Sequence, residues 1–574
     1  MDHRLLPSKP TLIFLLLAAI AVARIAATYR AIAQTSDETP NIACGMQYLD
    51  LGRYDYGAFH PPLARLAIAL GPYLYGARAQ KLPDRWKEGN AVLNSAPRYG
   101  KALTLARLGV LPFFLLACTV VWLWGRKLLG DWGALAPVIL FTNIPPVLAH
   151  AGVATMDMAI GAAICTALFA YTLWLEEGTL WRSIFFGIGL ALALLSKFSA
   201  VLLLPVGILA IALLHPRARQ KRNWAWIPLA FLLIWGAYRF SFGPMTEHVA
   251  ADAAAQGGIF ARIPTPLLHA LESLPVPAPQ LLDGLWQVHN HVEGGHTAYL
   301  LGRHGFHGWW YFFPVALAVK TPLAILLLAA LGAFAPVSKA LLPAVSRLVS
   351  TRFPGVAPRR IESRPIMSAG FTNAPAKCAL WMPAVLAAAI LLVNLPTSLN
   401  IGVRYMLPLY PFLALTAGIG TVWLWRKRRA AAIVLLLWTA ISSAAAHPDY
   451  LAYFNELAAS HPERILVDSD LDWGQDMVRL AAELQRRRVP YFHMSCLYTG
   501  DDTRLGLPAW DSLEPYQPVT GWIAVSQTML KNYGWMVSQQ RGRQELAFAW
   551  LDKYQPAGLV GKSILLYYIP EANK

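Results

Sequence analysis

Long apolar runs constrain the fold of this chain more than any other feature of its sequence. Three of the clearest are Thr11–Ala27, Trp381–Val393 and Ala430–Ala446. A helix needs roughly 20 mostly apolar residues to cross a bilayer, and several runs approach that length once their flanks are counted. Only 14% of the residues are charged, against about a quarter in soluble domains. The sequence therefore predicts a polytopic α-helical membrane protein, because a soluble fold would have to bury many such runs at once.

The apolar runs predict about eleven transmembrane helices. The fifth is short, and with the sixth it is also compatible with a re-entrant element. The predicted spans are 11–33, 102–124, 132–150, 157–175, 182–196, 199–214, 225–240, 311–333, 379–397, 405–424 and 430–446.

The distribution of positive charge predicts how the bundle is oriented in the membrane. The net charge is +17, and the basic residues lie largely in short clusters between apolar runs, which favours membrane topology over nucleic-acid binding. Loops rich in Lys and Arg face the cytoplasm. The N-terminus is therefore predicted to be cytoplasmic and the C-terminal segment extracytoplasmic. The cytoplasmic basic groups are Arg126 and Lys127, Arg217 to Arg222, the linker 334–378, and Arg426 to Arg429.

The same topology predicts two domains. Residues 1–446 form the transmembrane bundle, with large outer loops at 34–101 and 241–310, and residues 447–574 form a small extracytoplasmic α/β domain. In the first outer loop, Leu63–Tyr75 is too short to span and is predicted to be an interfacial helix. In the tail, alternating patterns predict a helix at Asp476–Arg487 and strands at Arg464–Val467, Tyr491–Met494, Gly521–Ser526 and Ser563–Ile569.

Three acids stand at predicted span edges. Asp37 and Glu38 follow the first span directly, where they are either solvated loop residues or catalytic carboxylates beside a lipid headgroup. Asp157 lies at the outer end of the third span. A carboxylate at that depth is costly unless it is paired or functional, although an acid near a helix N-terminus also serves as a cap. His60 precedes Pro61 and Pro62, which stiffen the backbone where the interfacial helix begins.

Cations occur in the same outer regions. Lys197 lies between the fifth and sixth spans, and Lys320 lies inside the eighth. An intramembrane lysine indicates a functional site, although long side chains also snorkel to the interface. Arg404, followed by Tyr405, stands at the outer mouth of the tenth span. Its planar guanidinium matches phosphate oxygens and makes it the best candidate phosphate ligand.

A histidine-rich segment precedes the eighth span. It includes His289, His291, His296 and Tyr299, but its spacing fits no metal motif. A polar loop facing substrate, or a merely structural one, is favoured over a metal site. No metal ligand or certain cofactor is predicted, and a divalent metal stays an open alternative.

Six segments together resemble a known family. The chain is similar to polyprenyl-phosphate-dependent membrane glycosyltransferases of the C-type fold, family 39-like, which are relatives of protein O-mannosyltransferases and of the aminoarabinose transferase. Their order along the chain makes the resemblance specific. The segments are Asp37-Glu38, His60–Leu63, Ala154–Asp157, Gly308–Pro322, Leu399–Pro411, and Tyr453–Gln475 with its core Asp468–Gln475.

The resemblance implies a reaction and its participants. It implies a sugar donor linked to polyprenyl phosphate, inversion at the sugar carbon, and Asp37 as catalytic acid residue with Glu38 beside it. Asp157 becomes the second acid, and Arg404 a phosphate ligand. His60, Lys197, His296, Tyr299, Lys320 and Tyr405 complete the predicted substrate-binding residues. Some relatives need a divalent metal, whereas the mannosyltransferase branch generally does not.

The tail motif resembles a bacterial subgroup, which implies a multi-pass protein of the bacterial inner (plasma) membrane. The acceptor, whether protein, lipid or glycan, is not identified. The alternative function is a transporter or flippase for lipid-linked sugars, which discontinuous helices and paired repeats would support. A third reading is a membrane scaffold. For Asp468–Gln475 itself, a structural strand–turn–helix junction is favoured over a functional role.

Overall fold

The first half of the chain is almost entirely helical. The computed structural model describes residues 7–54, 56–57, 59–214, 222–245, 264–335, 377–458 and 460–571. The helices of this half are α1 (Lys9–Thr28), α2 (Glu38–Met46), α3 (Pro62–Leu74), α4 (Arg85–Ser95), α5 (Tyr99–Leu108), α6 (Leu111–Gly133), α7 (Leu135–Phe141), α8 (Pro145–Ala151), α9 (Asp157–Glu176), α10 (Leu180–Ser196), α11 (Ala200–Leu214) and α12 (Trp226–Ala237).

The rest of the chain contributes further helices and the strands of the described residues. The stretch 241–310, predicted as an outer loop, holds two short antiparallel strand pairs. The helices are α13 (Thr265–Glu272), α14 (Pro279–Gly294), α15 (Phe312–Lys320), α16 (Leu323–Ala335), α17 (Met382–Asn394), α18 (Tyr410–Lys427), α19 (Arg429–Ala445), α20 (Met477–Arg486) and α21 (Gly534–Gln540). The strands are β1 (Phe242–Pro244), β2 (Pro275–Pro277), β3 (Ala298–Leu300), β4 (Arg303–Gly305), β5 (Tyr491–Ser495), β6 (Ala509–Ser512), β7 (Gly521–Ser526), β8 (Gly558–Val560) and β9 (Ile564–Ile569).

Within the described residues, four helical stretches are long and apolar enough to cross a membrane. They are α1, Tyr99–Gly133, α9 and Val403–Lys427. Six shorter apolar helices accompany them: α3, α10, α11, α12, α17 and α19. The helical membrane architecture agrees with the sequence, while the count of eleven spans stays a prediction.

Two predicted spans are not continuous helices. The run 132–150 divides into α7 and α8, because Pro145 and Pro146 start a new helix and lack the N–H groups that would continue the first. The run 311–333 divides into α15 and α16, which meet at an angle of 114°. Pro322 lies at that break, and Lys320 is the last residue of α15.

Close helix contacts hold the middle of the bundle. Almost every residue of α9 is buried, so it forms the centre around which the other helices pack. α16 and α18 approach so closely that a Cβ atom on Gly332 would overlap the carbonyl oxygen of Thr416, and one on Gly420 would overlap that of Leu328. Small residues at such contacts allow helices to pack backbone to backbone in a membrane.

The tail contains a five-stranded mixed sheet in the order β6-β5-β7-β9-β8. β6, β5 and β7 are parallel, and β9 runs antiparallel to β7 and β8. α20 packs on one face, where Leu480 and Leu484 join Met494 and Leu566 in a buried cluster. The predicted helix and three of the four predicted strands are confirmed.

The fourth predicted strand, Arg464–Val467, is wrong. A 3-10 turn occupies Pro462–Arg464 instead. Leu466 belongs to the core of the bundle, and Val467 packs against Tyr299. The apolar pair is thus buried by contact with the membrane helices and the β3–β4 hairpin, not by a sheet.

The start of the tail packs into the bundle. Tyr450, Leu451 and Trp473 belong to the same buried cluster as the membrane helices, so the division at residue 446 stays a prediction. Most of the predicted linker 334–378 lies outside the described residues, as do Arg217, Arg219 and Lys221. The Leu63–Tyr75 segment is helical as predicted, and its interfacial position stays a prediction.

Candidate active site

Asp37 and Arg404 form an ion pair. Asp37 is the residue before α2, and Arg404 lies in the 3-10 turn Val403–Leu409 that leads into α18. Arg404 Nη1 donates to Asp37 Oδ2 at 2.5 Å. The Asp37 side chain is 39% exposed and that of Arg404 only 11%. The Asp37 carboxylate is therefore accessible to an incoming molecule, whereas the Arg404 guanidinium is largely buried.

Asp157 and Lys197 form a second, more deeply buried pair. Lys197 Nζ lies 2.7 Å from Asp157 Oδ1, and both side chains are largely buried. Asp157 is the first residue of α9, and Lys197 directly follows α10. Such a pair keeps both groups charged away from water, and removal of one partner would leave an uncompensated charge.

Tyr405 connects the two pairs. Lys197 Nζ lies 4.4 Å from the centre of its ring, and Arg404 Cζ lies 5.8 Å from it. Two acids and two cations, drawn from four separate parts of the chain, therefore meet around one aromatic ring. Of the residues predicted from the sequence, the structure brings together Asp37, Asp157, Lys197, Arg404 and Tyr405.

Trp473 orients the Arg404 guanidinium. Arg404 Cζ lies 4.5 Å from the centre of the Trp473 ring, a distance at which a cation is attracted by the ring face. Arg404 Nε is buried and, among the described residues, has no hydrogen-bond partner. One edge of the guanidinium is thus bound to Asp37 while another N–H is available for an anion. Trp473 was not predicted as a site residue, although it lies in the Asp468–Gln475 motif.

The Asp468–Gln475 segment holds both halves of the ion pair in place. Asp470 Oδ1 accepts from Val403 N at 3.0 Å, and Ser469 Oγ donates to Ile401 O at 3.0 Å. On the other side, Ser36 N donates to Trp473 O at 3.1 Å, and Ala33 N donates to Gln475 O at 2.8 Å. The segment therefore fastens the Asp37 loop to the Arg404 turn.

Lys320 donates hydrogen bonds to the backbone at and near this segment. Its ammonium is buried and donates to Leu451 O at 2.8 Å and to Asp470 O at 2.5 Å. Burial raises the pKa of the Asp470 carboxyl to about 6, against the opposing effect of Lys320. Lys320 was predicted to bind substrate, but its described hydrogen bonds all go to the tail.

Glu38 is fully buried and fully bonded. It accepts from Arg107 Nε and Nη2, from Thr35 N and from Ala154 N, each at 2.8 Å. Burial raises the pKa of Glu38, but Arg107 and the backbone hydrogen bonds outweigh that effect and hold it below its ordinary value. Glu38 thus joins the Asp37 loop to the Ala154–Asp157 turn, and its side chain has no exposed surface to offer a substrate.

His60 lies within electrostatic reach of the paired groups. Its Nδ1 is buried without a hydrogen-bond partner in the described chain. Burial lowers the pKa of His60 well below its ordinary value, and the cations Arg65, Lys197, Arg85 and Arg404 add to the effect. The imidazole is therefore neutral and can both donate and accept.

Arg85 is a cation that the sequence did not single out. Its guanidinium lies 4.5 Å over the Phe59 ring and 4.3 Å over the Trp86 ring. It makes no ion pair or hydrogen bond with any described residue, and Asp37 lies within its electrostatic range. The signal for it was weak, because several basic residues are spread over the loop 34–101.

His296 and Tyr299 lie where the 241–310 segment meets the tail. Tyr299 packs against Val467 and Leu471, and its ring lies at a tilt of 57° against that of His304. His296 Nδ1 lies 2.9 Å from Thr297 O, and the ring is within electrostatic range of Asp468. No described contact joins either residue to the paired groups. Among the described residues, no three His, Cys, Asp or Glu side chains are placed to share a metal ion.

Residues 13–240 match the family model described as dolichyl-phosphate-mannose-protein mannosyltransferase. This part of the chain is similar to that family. The match confirms the resemblance drawn from the sequence and the predicted enzyme class, a glycosyltransferase. The matched stretch contains Asp37, Glu38, His60, Asp157 and Lys197, whereas Arg404 and Trp473 lie beyond it. No curated protein sequence matches the chain.

Three solved structures are similar to this chain at low identity and low TM-score. ArnT from Cupriavidus metallidurans bound to undecaprenyl phosphate is 12% identical, with 97% of this chain and 98% of that chain covered and a TM-score of 0.42. The Archaeoglobus fulgidus oligosaccharyltransferase in its apo form is 12% identical, covering 96% and 74%, with a TM-score of 0.45. The oligosaccharyltransferase AglB of the same organism, in complex with an inhibitory peptide and a dolichol-phosphate, is 11% identical, covering 95% and 72%, with a TM-score of 0.44.

Proposed function

We propose that this protein transfers a sugar from a polyprenyl-phosphate-linked donor to an acceptor hydroxyl at the extracytoplasmic membrane face, with inversion at the sugar carbon. The observation that carries the proposal is the meeting of the Asp37–Arg404 and Asp157–Lys197 pairs around Tyr405. A lipid-phosphate donor needs cations for its phosphate and a carboxylate for the acceptor proton, and both are present here.

The cations bind the leaving phosphate. Arg404 offers its unpartnered Nε, and Arg85 offers a guanidinium without a carboxylate partner among the described residues. As the bond between the sugar carbon and the phosphate oxygen breaks, both electrons go to that oxygen. Polyprenyl phosphate then leaves with its charge neutralised by these groups. Lys197 adds positive charge to the same side of Tyr405.

Asp37 accepts the proton of the attacking hydroxyl. It is the more exposed of the two acids, and its Oδ1 is not used by Arg404. The acceptor oxygen forms a new bond to the sugar carbon on the face opposite the phosphate, which inverts the configuration. A bound phosphate competes with Asp37 for Arg404, so donor binding releases the carboxylate for this task.

The remaining predicted residues receive supporting roles. Asp157 is a positioning residue that keeps Lys197 charged and oriented, and Glu38 positions the Asp37 loop through Arg107.

His60 contacts the donor as a neutral hydrogen-bonding group. His296 and Tyr299 shape the acceptor side beside the tail, and Lys320 anchors the Asp468–Gln475 segment. The tail lies outside the inner (plasma) membrane of a bacterium.

The break between α15 and α16 bears on the transporter alternative. A discontinuous helix is the feature that such a function would show. Here, however, Lys320 at the break donates to Leu451 O and Asp470 O. Backbone carbonyl groups of the tail therefore bind the Lys320 ammonium at the break. This arrangement favours the transferase over the transporter.

The test uses the purified chain in lipid nanodiscs with undecaprenyl phosphate carrying labelled hexoses or pentoses, and a bacterial envelope extract of proteins, lipids and glycans supplies the acceptor hydroxyls. Release of undecaprenyl phosphate is followed for the wild type, for Asp37→Asn, and for Asp552→Asn, a matched change at an exposed acid of the tail. We expect release to fall at least about 100-fold only in Asp37→Asn, as for loss of a general base. Full activity of that variant would remove Asp37 from the mechanism. Movement of donor across vesicles without sugar release would establish the transporter instead.

A further inference from the structure

A cavity of ≈ 1050 Å³ lies between the bundle and the tail, and none of the paired acids and cations lines it. It is formed by the end of α1 with the residues that follow, by α5 with the residue before it, and by four tail residues between 498 and 505 together with Val478. No residue predicted from the sequence as a catalytic or binding residue lines it. Its volume is at the upper end of the range typical of ligand pockets.

The cavity has a strongly cationic lining. Arg30, Arg98, Lys101 and Arg504 line it together with a single acid, Asp501. Arg504 Nε donates to Asn94 Oδ1 at 3.1 Å and lies 3.8 Å from Asp501.

Two of these cations have no counter-ion among the described residues. Arg30 and Arg98 are exposed, and neither has an ion pair or side-chain hydrogen bond with any residue in the described ranges. Lys101 lies 4.5 Å over the Tyr75 ring. The lining thus carries an excess of positive charge, with two guanidinium groups free to bind phosphate oxygens.

The lining becomes apolar in the direction of the membrane. α1 ends, and Tyr99–Gly133 begins, at this cavity, and both are candidate spans. Leu108 lies seven residues beyond Lys101, roughly 10 Å deeper along the helix. Ala27 lies three residues before Arg30, about 4.5 Å deeper. Cations therefore mark the mouth at the membrane interface, and apolar side chains form the wall that runs towards the bilayer centre.

We propose that this cavity binds an anionic phospholipid. The guanidinium groups of Arg30 and Arg98, with Arg504 opposite, hold its phosphate, and its acyl chain lies along Ala27 and Leu108. Charge complementarity selects an anion, and the apolar wall selects a lipid over a free phosphate ion. Because Arg504 belongs to the tail and Arg30 follows α1, the bound lipid fastens the tail to the bundle.

Native mass spectrometry of the full chain, released from phosphatidylcholine nanodiscs doped with phosphatidylglycerol, tests the proposal. We expect retained phosphatidylglycerol on the wild type and at least a tenfold loss on Arg30→Gln/Arg98→Gln. The control Lys87→Gln/Lys553→Gln removes two exposed charges outside the cavity and should retain the lipid. Ala27→Trp, which fills the apolar wall and leaves every charge in place, should also lose it, and this variant serves if the double variant does not fold.

Three outcomes would overturn the site. One is equal retention of phosphatidylglycerol by the wild type, the double variant and Ala27→Trp. Another is equal retention of phosphatidylcholine and phosphatidylglycerol by the wild type. The third is displacement of the lipid by inorganic phosphate at the lipid's own concentration, which would make the cavity a plain anion site. None of these results depends on sugar transfer, so the proposed function is tested separately.

Discussion

Arg404 Nη1 lies 2.5 Å from Asp37 Oδ2, although 367 residues separate them along the chain. The same guanidinium rests on the Trp473 ring, so the site joins the first loop, the turn before α18 and the start of the tail. Three distant segments of the chain therefore position the positive charge of Arg404. Changes in any of them should alter the handling of the donor phosphate.

Replacement of Arg404 by lysine should lower kcat/KM for the lipid donor by roughly 10- to 100-fold. Lysine keeps the charge but loses the second donor of the fork and the flat stacking on Trp473, and a hydrogen bond to a charged group contributes about 1.5–3 kcal/mol. Steady-state release of undecaprenyl phosphate measures the effect. Arg429→Lys, at an exposed arginine, is the matched control. Unchanged kinetics in Arg404→Lys would contradict a bidentate role.

Loss of the Trp473 ring should raise the KM for the donor more than it lowers kcat. A cation over an aromatic ring is stabilised by about 0.5–2 kcal/mol, so Trp473→Leu should raise KM roughly 2- to 30-fold and Trp473→Phe less. Trp510→Phe, at a partly exposed ring of the tail sheet, should change neither constant. An unchanged KM in Trp473→Leu, with the thermal midpoint preserved, would separate Trp473 from the site.

Glu38→Gln should destabilise the protein by about 3–5 kcal/mol, because the buried Arg107 guanidinium loses its bidentate partner. The folded pKa of Glu38 lies below its ordinary value, so its carboxylate stabilises the fold fully above the unfolded pKa of about 4.3. That contribution is lost as the pH falls through the folded pKa. The thermal midpoints of wild type and variant should therefore differ widely at pH 7 and converge on strong acidification. Equal midpoints at pH 7 would refute the structural role.

Asp472→Asn should stabilise the protein above about pH 6 and have little effect near pH 4. Asp472 is buried and forms no ion pair with any described residue. Burial raises the pKa of its carboxyl to about 6, partly offset by hydrogen bonds such as that from Thr528 N at 2.9 Å. A folded pKa above the unfolded one disfavours the ionised form in the fold, on the order of 3 kcal/mol, and this penalty declines as the pH falls from about 6 towards the unfolded pKa of about 3.9. Thermal midpoints at pH 4 and pH 8 test this; a gap larger at pH 4 would contradict it.

Local sequence features predicted the parts of the site but not its assembly. Asp37 was found because it follows a span, and Arg404 because an arginine beside a span matches a phosphate. Glu38 and Lys320 were predicted in the same way, yet the described contacts of Glu38 go to Arg107 and backbone N–H groups and those of Lys320 to tail carbonyls. Arg85 and Trp473 were missed, because neither a single loop arginine nor a tail tryptophan carries a local signal of its partners.

The sequence alone determined the class of protein, because burial of apolar runs in a bilayer depends only on local composition and length. It also predicted α20, β5, β7 and β9, whose side chains alternate or repeat with the period of the element. The tertiary structure decided where the spans break, since Pro145, Pro146 and Pro322 interrupt helices whose composition stays apolar throughout. It likewise decided that Asp37 contacts Arg404, because a contact across 367 residues depends on the packing of the intervening helices. The residues next to Asp37 and Arg404 in the sequence do not indicate this contact.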